Sequence, residues 1–181
     1  MSAAMAGFAA TVSEVESHQW GNPTPCPGWS VLDIVDHVVA GDRFTALTLE
    51  GLSLETASER TEGLRSDNPD VLAQIRSAAD SALEAFKGSL DRIIAHRVGP
   101  VSARRVLGFR IIDQLGHTWD VATAAGLSSV LDRGALALGV ELARSEQATL
   151  DRSPNFTESP REPAPADDAQ TTFLRMIGRA S

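Results

Sequence analysis

The stretch from Ser102 to Gly126 restricts the fold more than any other part of this 181-residue chain. Val106, Phe109, Ile111, Ile112, Leu115, Trp119 and Val121 recur at helical spacing, and they cover more than one side of the helix they form. A helix that is apolar nearly all round has to be wrapped by others, so it belongs in the middle of a bundle. Asp113, His117 and Asp120 sit inside this apolar segment on one stripe, at about 100° per residue. A carboxylate and an imidazole on an apolar face need a reason, because an unpaired buried charge is costly.

The rest of the chain also reads as helix. Met5, Phe8, Ala9, Val12 and Val15 give a first helix ending near His18. The prolines of Gly21-Asn-Pro-Thr-Pro-Cys-Pro-Gly28 then exclude both helix and central strand. Ser30 with Asp33 resembles a capping box in which the shorter carboxylate replaces Glu or Gln, and it opens a second helix over 31–49. Residues 50–67 are polar and irregular and read as a surface loop. Asn68 as cap and Pro69 at the first helical position start a third helix, with Val71, Ile75, Ala78, Ala82, Phe86, Ile93 and Ile94 as its core face as far as about His96. Gly99-Pro100 breaks it, and Ser102 opens the central helix. A fifth helix spans roughly 133–150, residues 151–167 are rich in proline and polar groups, and a short last helix covers 168–177. No segment alternates with period two. The expected fold is all-α, a four-helix bundle with additional C-terminal helices in a single domain over 1–181.

Composition excludes several kinds of function. A net charge of −8 argues against nucleic-acid binding, which needs clustered Lys and Arg. Lys87 is the one lysine among 16 basic residues, so arginine does nearly all the cationic work and suits bidentate recognition of carboxylate or phosphate. No apolar run is long enough to span a membrane, and Met1-Ser-Ala-Ala-Met5 lacks the basic start of a signal peptide. The single cysteine excludes an internal disulfide and a cysteine-based zinc site, and it fits a reducing cytoplasm. With no tyrosine, the available chemistry comes from His, Asp, Glu, Ser, Cys26 and bound metal.

Two of the four histidines lie four residues after a carboxylate, in Asp33-Ile-Val-Asp-His37 and Asp113-Gln-Leu-Gly-His117. Residues i and i+4 lie one turn apart on the same face, so each pair can present two metal-binding groups to one point. His37 shares its stripe with Asp33, Ala40, Gly41 and Phe44. Bundles commonly build metal sites from inward side chains on facing helices. The plainer alternative makes His117 a satisfied core histidine with Asp113 as its partner, and Asp33 a helix-start residue only. Two His and one carboxylate would leave a coordination position open, as catalytic sites do. Zinc is the plainest metal for such a set, with nickel or iron as alternatives.

Three motifs carry a family resemblance. Pro23-Thr-Pro-Cys-Pro-Gly-Trp29-Ser-Val-Leu-Asp-Ile-Val-Asp-His37 resembles the N-terminal signature of the DinB-like metalloenzyme superfamily. Within it, the chain is more similar to the actinobacterial branch related to mycothiol-dependent maleylpyruvate isomerase. His117-Thr-Trp119-Asp120-Val-Ala resembles that branch's second signature. Glu162-Pro-Ala-Pro-Ala-Asp-Asp-Ala with Leu174-Arg-Met-Ile-Gly178-Arg179 resembles the closing motif of its small single-domain members. The resemblance implies an up-down-down-up bundle with a divalent metal held by His37, Asp113 and His117, where many relatives have His or Glu at the Asp113 position. It also implies a low-molecular-weight thiol such as mycothiol, and transfer or isomerisation of a small electrophilic substrate. A non-catalytic metal- or ligand-binding protein of the same fold is the alternative, and a homodimer is an open option. Asp33, so close to the capping Ser30, is better explained by the helix start than as a ligand.

The remaining residues divide as follows. Asp120 is either the acceptor for a ligating histidine or the partner of a distant arginine, and the latter is favoured. Trp29 and Trp119 are read as core anchors, Cys26 as an inert buried thiol, and His18 and His96 as structural residues at helix ends. Arg43, Arg104, Arg105, Arg110 and Arg179 are candidates to clamp an anionic substrate, with nothing in their spacing to choose among them.

Overall fold

The computed structural model describes residues 1–63, 70–151 and 167–179. Its helices are α1 (Ser2–Ser13), α2 (Val31–Leu49), α3 (Leu54–Thr61), α4 (Val71–Phe86), α5 (Ala103–Ala124), α6 (Arg133–Leu150) and α7 (Ala169–Met176). A 3-10 turn at Ser17–Gln19 and a two-stranded antiparallel hairpin, β1 (Ile93–Ile94) with β2 (Val101–Ser102), complete the described elements. The protein is all-α apart from that hairpin. α1 packs on α4 and α5, and α2 packs on the same two, so the four form a ring with α1 and α2 at opposite corners.

α5 takes the central place that its apolar ring requires. One side meets α1 and α2, and the other is covered by α6, onto which α7 folds. Ile111, Ile112, Leu115 and Trp119 of α5 share a buried cluster with Leu136, Ala143 and Leu150 of α6 and Phe173, Leu174 and Ile177 of the C-terminal segment. Trp119 is therefore the core anchor the sequence suggests. A second cluster joins Phe8 and Val12 of α1 to Val31, Ile34, Val35 and Val38 of α2 and Ile75 and Ala78 of α4.

Helix ends follow local capping chemistry. α2 and α6 occupy the expected ranges, and α5 starts after Ser102, whose Oγ accepts from the Arg105 N–H at 3.3 Å. Three expectations are corrected. α1 stops at Ser13, because Glu16 is extended and forms its own capping box with Gln19, which leaves His18 on the separate 3-10 turn. Residues 54–61 are helical rather than loop; only Ala57 and Thr61 of that helix are buried, too few to give an apolar stripe. α4 ends at Phe86 because Lys87 is extended and Gly88 has φ 68°, and Ile93 and Ile94 pass into the hairpin. Asp70 is the α4 cap, its carboxylate accepting from Ala73 N–H at 3.2 Å; Asn68 and Pro69 lie outside the described residues, as does most of the 151–167 stretch. No described helix is long and apolar enough to cross a membrane.

The α6–α7 layer depends on a close approach at Gly139, where an added Cβ would stand 2.6 Å from Leu115 Cδ1 and 3.3 Å from the Phe173 ring. Gly139→Ala should therefore cost about 1–3 kcal/mol by overpacking, against the slight gain alanine gives in an open helix. Urea denaturation of the two proteins measures the difference.

Candidate metal centre

His37 projects from α2 and Asp113 and His117 from α5, at the contact between the two helices. Asp33 does not join them. Its carboxylate accepts from Ser30 N–H at 2.9 Å and Ser30 Oγ at 2.6 Å, while Ser30 Oγ accepts from Asp33 N–H at 3.2 Å. The carboxylate is used up in starting α2, as the sequence suggests. The proline-rich loop before it folds back on itself through Thr24 N–H to Trp29 C=O and Val31 N–H to Asn22 C=O. Its approach is fixed to the end of α5 by the Gln19 and Asn22 side-chain amides, which donate to the carbonyls of Ala125 and Ala124 at 2.8 and 3.0 Å. Those α5 carbonyls have no partner within the helix, so the loop completes the helix end.

This anchoring sets Trp29 against both histidines. Its ring lies nearly parallel to His117 at 5.9 Å between centroids, and 4.8 Å from His37. The expectation of a pure core role for Trp29 is corrected: it packs beside the core cluster and also walls the site. No periodicity could reveal this, because Trp29 lies in a loop whose course is set by distant carbonyls.

Nε2 of His37 and Nε2 of His117 stand 3.2 and 3.5 Å from the same oxygen, Asp113 Oδ1. One ligand atom from each residue falls within 4.8 Å of the other two. Two donors of a tetrahedral zinc, each about 2.1 Å from the ion, are about 3.4 Å apart. The donor set and the two spacings to Asp113 Oδ1 suit a divalent metal such as zinc.

The far sides of these residues are tied down. Asp113 Oδ2 accepts from Arg110 Nη1 at 2.7 Å, and Arg110 also donates to Asp42 at 2.9 and 3.0 Å and to the Val38 carbonyl at 3.2 Å. Gln114 Nε2 completes the hold on Asp42 at 2.9 Å. The Arg110 guanidinium reaches α2 only because residue 41 is glycine; a Cβ there would lie 2.6 Å from Nη1. His117 Nδ1 faces Asp120 Oδ2 at 2.9 Å, and Arg179 grips Asp120 with Nε at 3.0 Å and Nη2 at 2.8 Å. The two roles weighed for Asp120 are thus not alternatives. It holds the histidine of its own helix one turn away and pairs with an arginine from the end of the chain.

Burial alone would raise the Asp113 pKa, but His37, Arg110 and His117 outweigh it and hold the carboxyl well below the ordinary value. Burial alone would lower that of His117, and Asp113 and Asp120 overcome it and lift the imidazole to about 9. Asp120 is held below its ordinary value, burial being outweighed by His117 and Arg179. Asp42 goes the other way: burial raises it more than Arg110 lowers it.

His37 and Asp113 line one wall of a pocket of about 250 Å³ that also includes Phe44, His96, Arg97 and Phe109. His96 is not at a helix end. It sits in the hairpin, stacks on Phe109 at 5.4 Å, and has its pKa lowered by burial and by Arg97 and Arg105. Arg97 lies 5.0 Å over the Phe44 ring and makes no ion pair among the described residues. Of the five arginines proposed as clamps, Arg104, Arg105, Arg110 and Arg179 are paired with Asp91, Glu146, Asp42 with Asp113, and Asp120. Arg43 is absent from the pocket lining. Two arginines line the pocket, Arg110, which is held by Asp42 and Asp113, and Arg97, which no spacing argument selects because a hairpin carries it there.

The molecule is thus an all-α bundle with a His–Asp–His cluster between two helices, sealed behind by ion pairs and open in front to a pocket. The family described as mycothiol maleylpyruvate isomerase N-terminal domain matches residues 1–122, and the chain belongs to that family. Two uncharacterized proteins of Mycobacterium tuberculosis, from strains CDC 1551 and H37Rv, are each 31% identical over 175 residues, covering 94% of this chain and 92% of the relative. No solved structure gives a significant match.

The raised His117 pKa carries a pH dependence. The folded value of about 9 exceeds the ordinary 6.5, so the stabilisation is full below pH 6.5 and is lost as pH rises through about 9. With no metal on the histidine, the loss is on the order of 3 kcal/mol. Denaturation curves collected across that range should show the decline, and His117→Gln should flatten it. A wild-type curve with no decline would contradict the ion network described.

Proposed function

We propose that this protein is a divalent-metal-dependent enzyme that brings a low-molecular-weight thiol, of the mycothiol type, to a small electrophilic substrate for transfer or isomerisation. The observation that carries this reading is the convergence of His37 Nε2 and His117 Nε2 on Asp113 Oδ1 at the wall of a pocket. Family membership supports the thiol. His37, Asp113 and His117 would hold the metal, with zinc as first candidate and nickel or iron as alternatives. When bound, the metal would act as a Lewis acid and favour the thiolate form of the thiol.

The protein's own residues supply the rest. Asp120 fixes which His117 nitrogen faces the cluster, and Arg110 holds the Asp113 carboxylate from behind, so the donors are pre-set. Trp29 packs against both histidine rings and limits how they can turn. Phe44 and Phe109 give the pocket apolar walls, and Arg97 at its rim is placed to receive an anionic group of the substrate. The hold of Arg110 on Asp113 also favours a second reading, a binding protein without chemistry, because a carboxylate shared with a guanidinium donates less to a metal.

Metal analysis separates these readings from a metal-free role. The purified protein should contain metal or take it up on reconstitution. Less than about a tenth of an equivalent per chain in both cases would remove the enzyme reading. His117→Ala should abolish metal uptake with the helical circular dichroism retained, and retained metal would refute the ligand assignment. In a thiol-dependent screen, Arg97→Gln should raise KM about fivefold for carboxylate-bearing electrophiles and leave neutral ones unchanged.

A further inference from the structure

We propose that Arg179, near the end of the chain, is a positioning residue for the candidate metal centre, acting on His117 through Asp120. The inference rests on the metal reading above for its consequence, but its geometry stands independently. Arg179 is 3% exposed and Asp120 is fully buried, and the guanidinium meets the carboxylate in a two-pronged contact at 3.0 and 2.8 Å. The same carboxylate accepts from His117 Nδ1 at 2.9 Å. A buried carboxylate with one partner is costly, and the second partner makes an orientation towards His117 sustainable. Residues behind a metal-binding histidine fix its ring and decide which nitrogen is presented. Here Asp120 takes Nδ1, which leaves Nε2 directed at Asp113.

The local sequence around Arg179 is built to deliver it. After α7, Gly178 has φ 73°, its N–H bonds the Arg175 carbonyl at 3.0 Å, and the Arg179 N–H bonds the Leu174 carbonyl at 2.7 Å. This pair of bonds is the Schellman ending, which needs a glycine-like residue at the turn. It directs the Arg179 side chain back under α5, and Nη1 is held further by the Ile177 carbonyl at 3.2 Å. α5 makes room. A Cβ on Gly116, the residue before His117, would stand 2.8 Å from Ile177 Cδ1. Ile177 itself is fully buried. The segment that carries Arg179 lies beyond residues 1–122, the span matched by the family, whereas His37, Asp113, His117 and Asp120 all lie within it. The centre is therefore completed by a separate part of the chain.

The test compares the full-length wild type with Arg179→Met, Arg179→Lys and Gly116→Ala, and with Arg104→Gln as a control that removes an exposed ion pair. The first readout needs no metal: the proton on His117 Nδ1, hydrogen-bonded to Asp120, should give a downfield, exchange-protected NMR signal. Arg179→Met and Gly116→Ala should lose or shift that signal, Arg179→Lys should keep it in part, and Arg104→Gln should leave it unchanged. The second readout is cobalt(II) affinity and its visible absorption, which should weaken about 10–100-fold in Arg179→Met and recover partly in Arg179→Lys. If Arg179→Met fails to fold, Gly116→Ala and Arg179→Lys carry the comparison. Wild-type Nδ1 signal and cobalt affinity in every folded variant would overturn the proposal. A wild type that binds no cobalt, with an Nδ1 signal that still depends on Arg179, would remove the metal reading alone.

Discussion

The arrangement turns on one carboxylate. Asp113 stands where α2 meets α5, with His37 and His117 on one oxygen and Arg110 on the other. In that place a carboxylate without partners would cost several kcal/mol. Each partner is therefore also a constraint on packing. Arg110 can reach Asp113 and Asp42 together only if its guanidinium lies against the α2 backbone, and this requires glycine at position 41. His117 can turn Nε2 towards Asp113 only if Nδ1 is engaged by Asp120. The helix crossing, the small residue and the histidine orientation are all consequences of stabilising that one charge.

This explains how α5 can be both a deeply buried helix and the one that carries two of the three candidate ligands. Its apolar residues face α1 on one side and α6 with the C-terminal segment on the other. Arg110, Gln114, His117 and Asp120 are buried between them, and each has a partner outside its own turn or one turn away. A helix wrapped on most sides offers low dielectric to whatever charges it carries, which strengthens their mutual interaction. The front of the cluster alone opens to the pocket, through His37 and Asp113.

What the sequence made legible follows from range. α2 and α6 could be read because caps and apolar periodicity are local, and the His37, Asp113 and His117 grouping because i, i+4 spacing and the family signatures are local too. α3 was missed since a helix with two buried residues has no stripe to read. The hairpin after α4 was missed because the apolar pair Ile93-Ile94 continues a helical count, and only the conformation at Lys87 and Gly88 breaks it. The residues that finish the site arrive by tertiary routes: Trp29 on a loop pinned by Gln19 and Asn22, Arg97 on the hairpin, Arg179 on the last turn. Their types gave no warning, since arginine and tryptophan are equally at home on surfaces and in cores.

The charge count of the cluster indicates what it is prepared to receive. Asp42, Asp113 and Asp120 bring three negative charges, and Arg110 and Arg179 bring two positive ones. The deficit of one is made up by the His117 proton, whose pKa near 9 keeps it in place at neutral pH. A divalent cation held by His117 would have to displace that proton, and would change the balance from even to one positive charge in excess. A buried site does not tolerate that excess well, so it favours an anionic partner from solution over a neutral one. A thiolate has that charge, and so does the hydroxide that a metal-bound water becomes. The ion pairs behind the donors would thus set the charge of what a bound metal accepts, before any residue of the pocket touches a substrate.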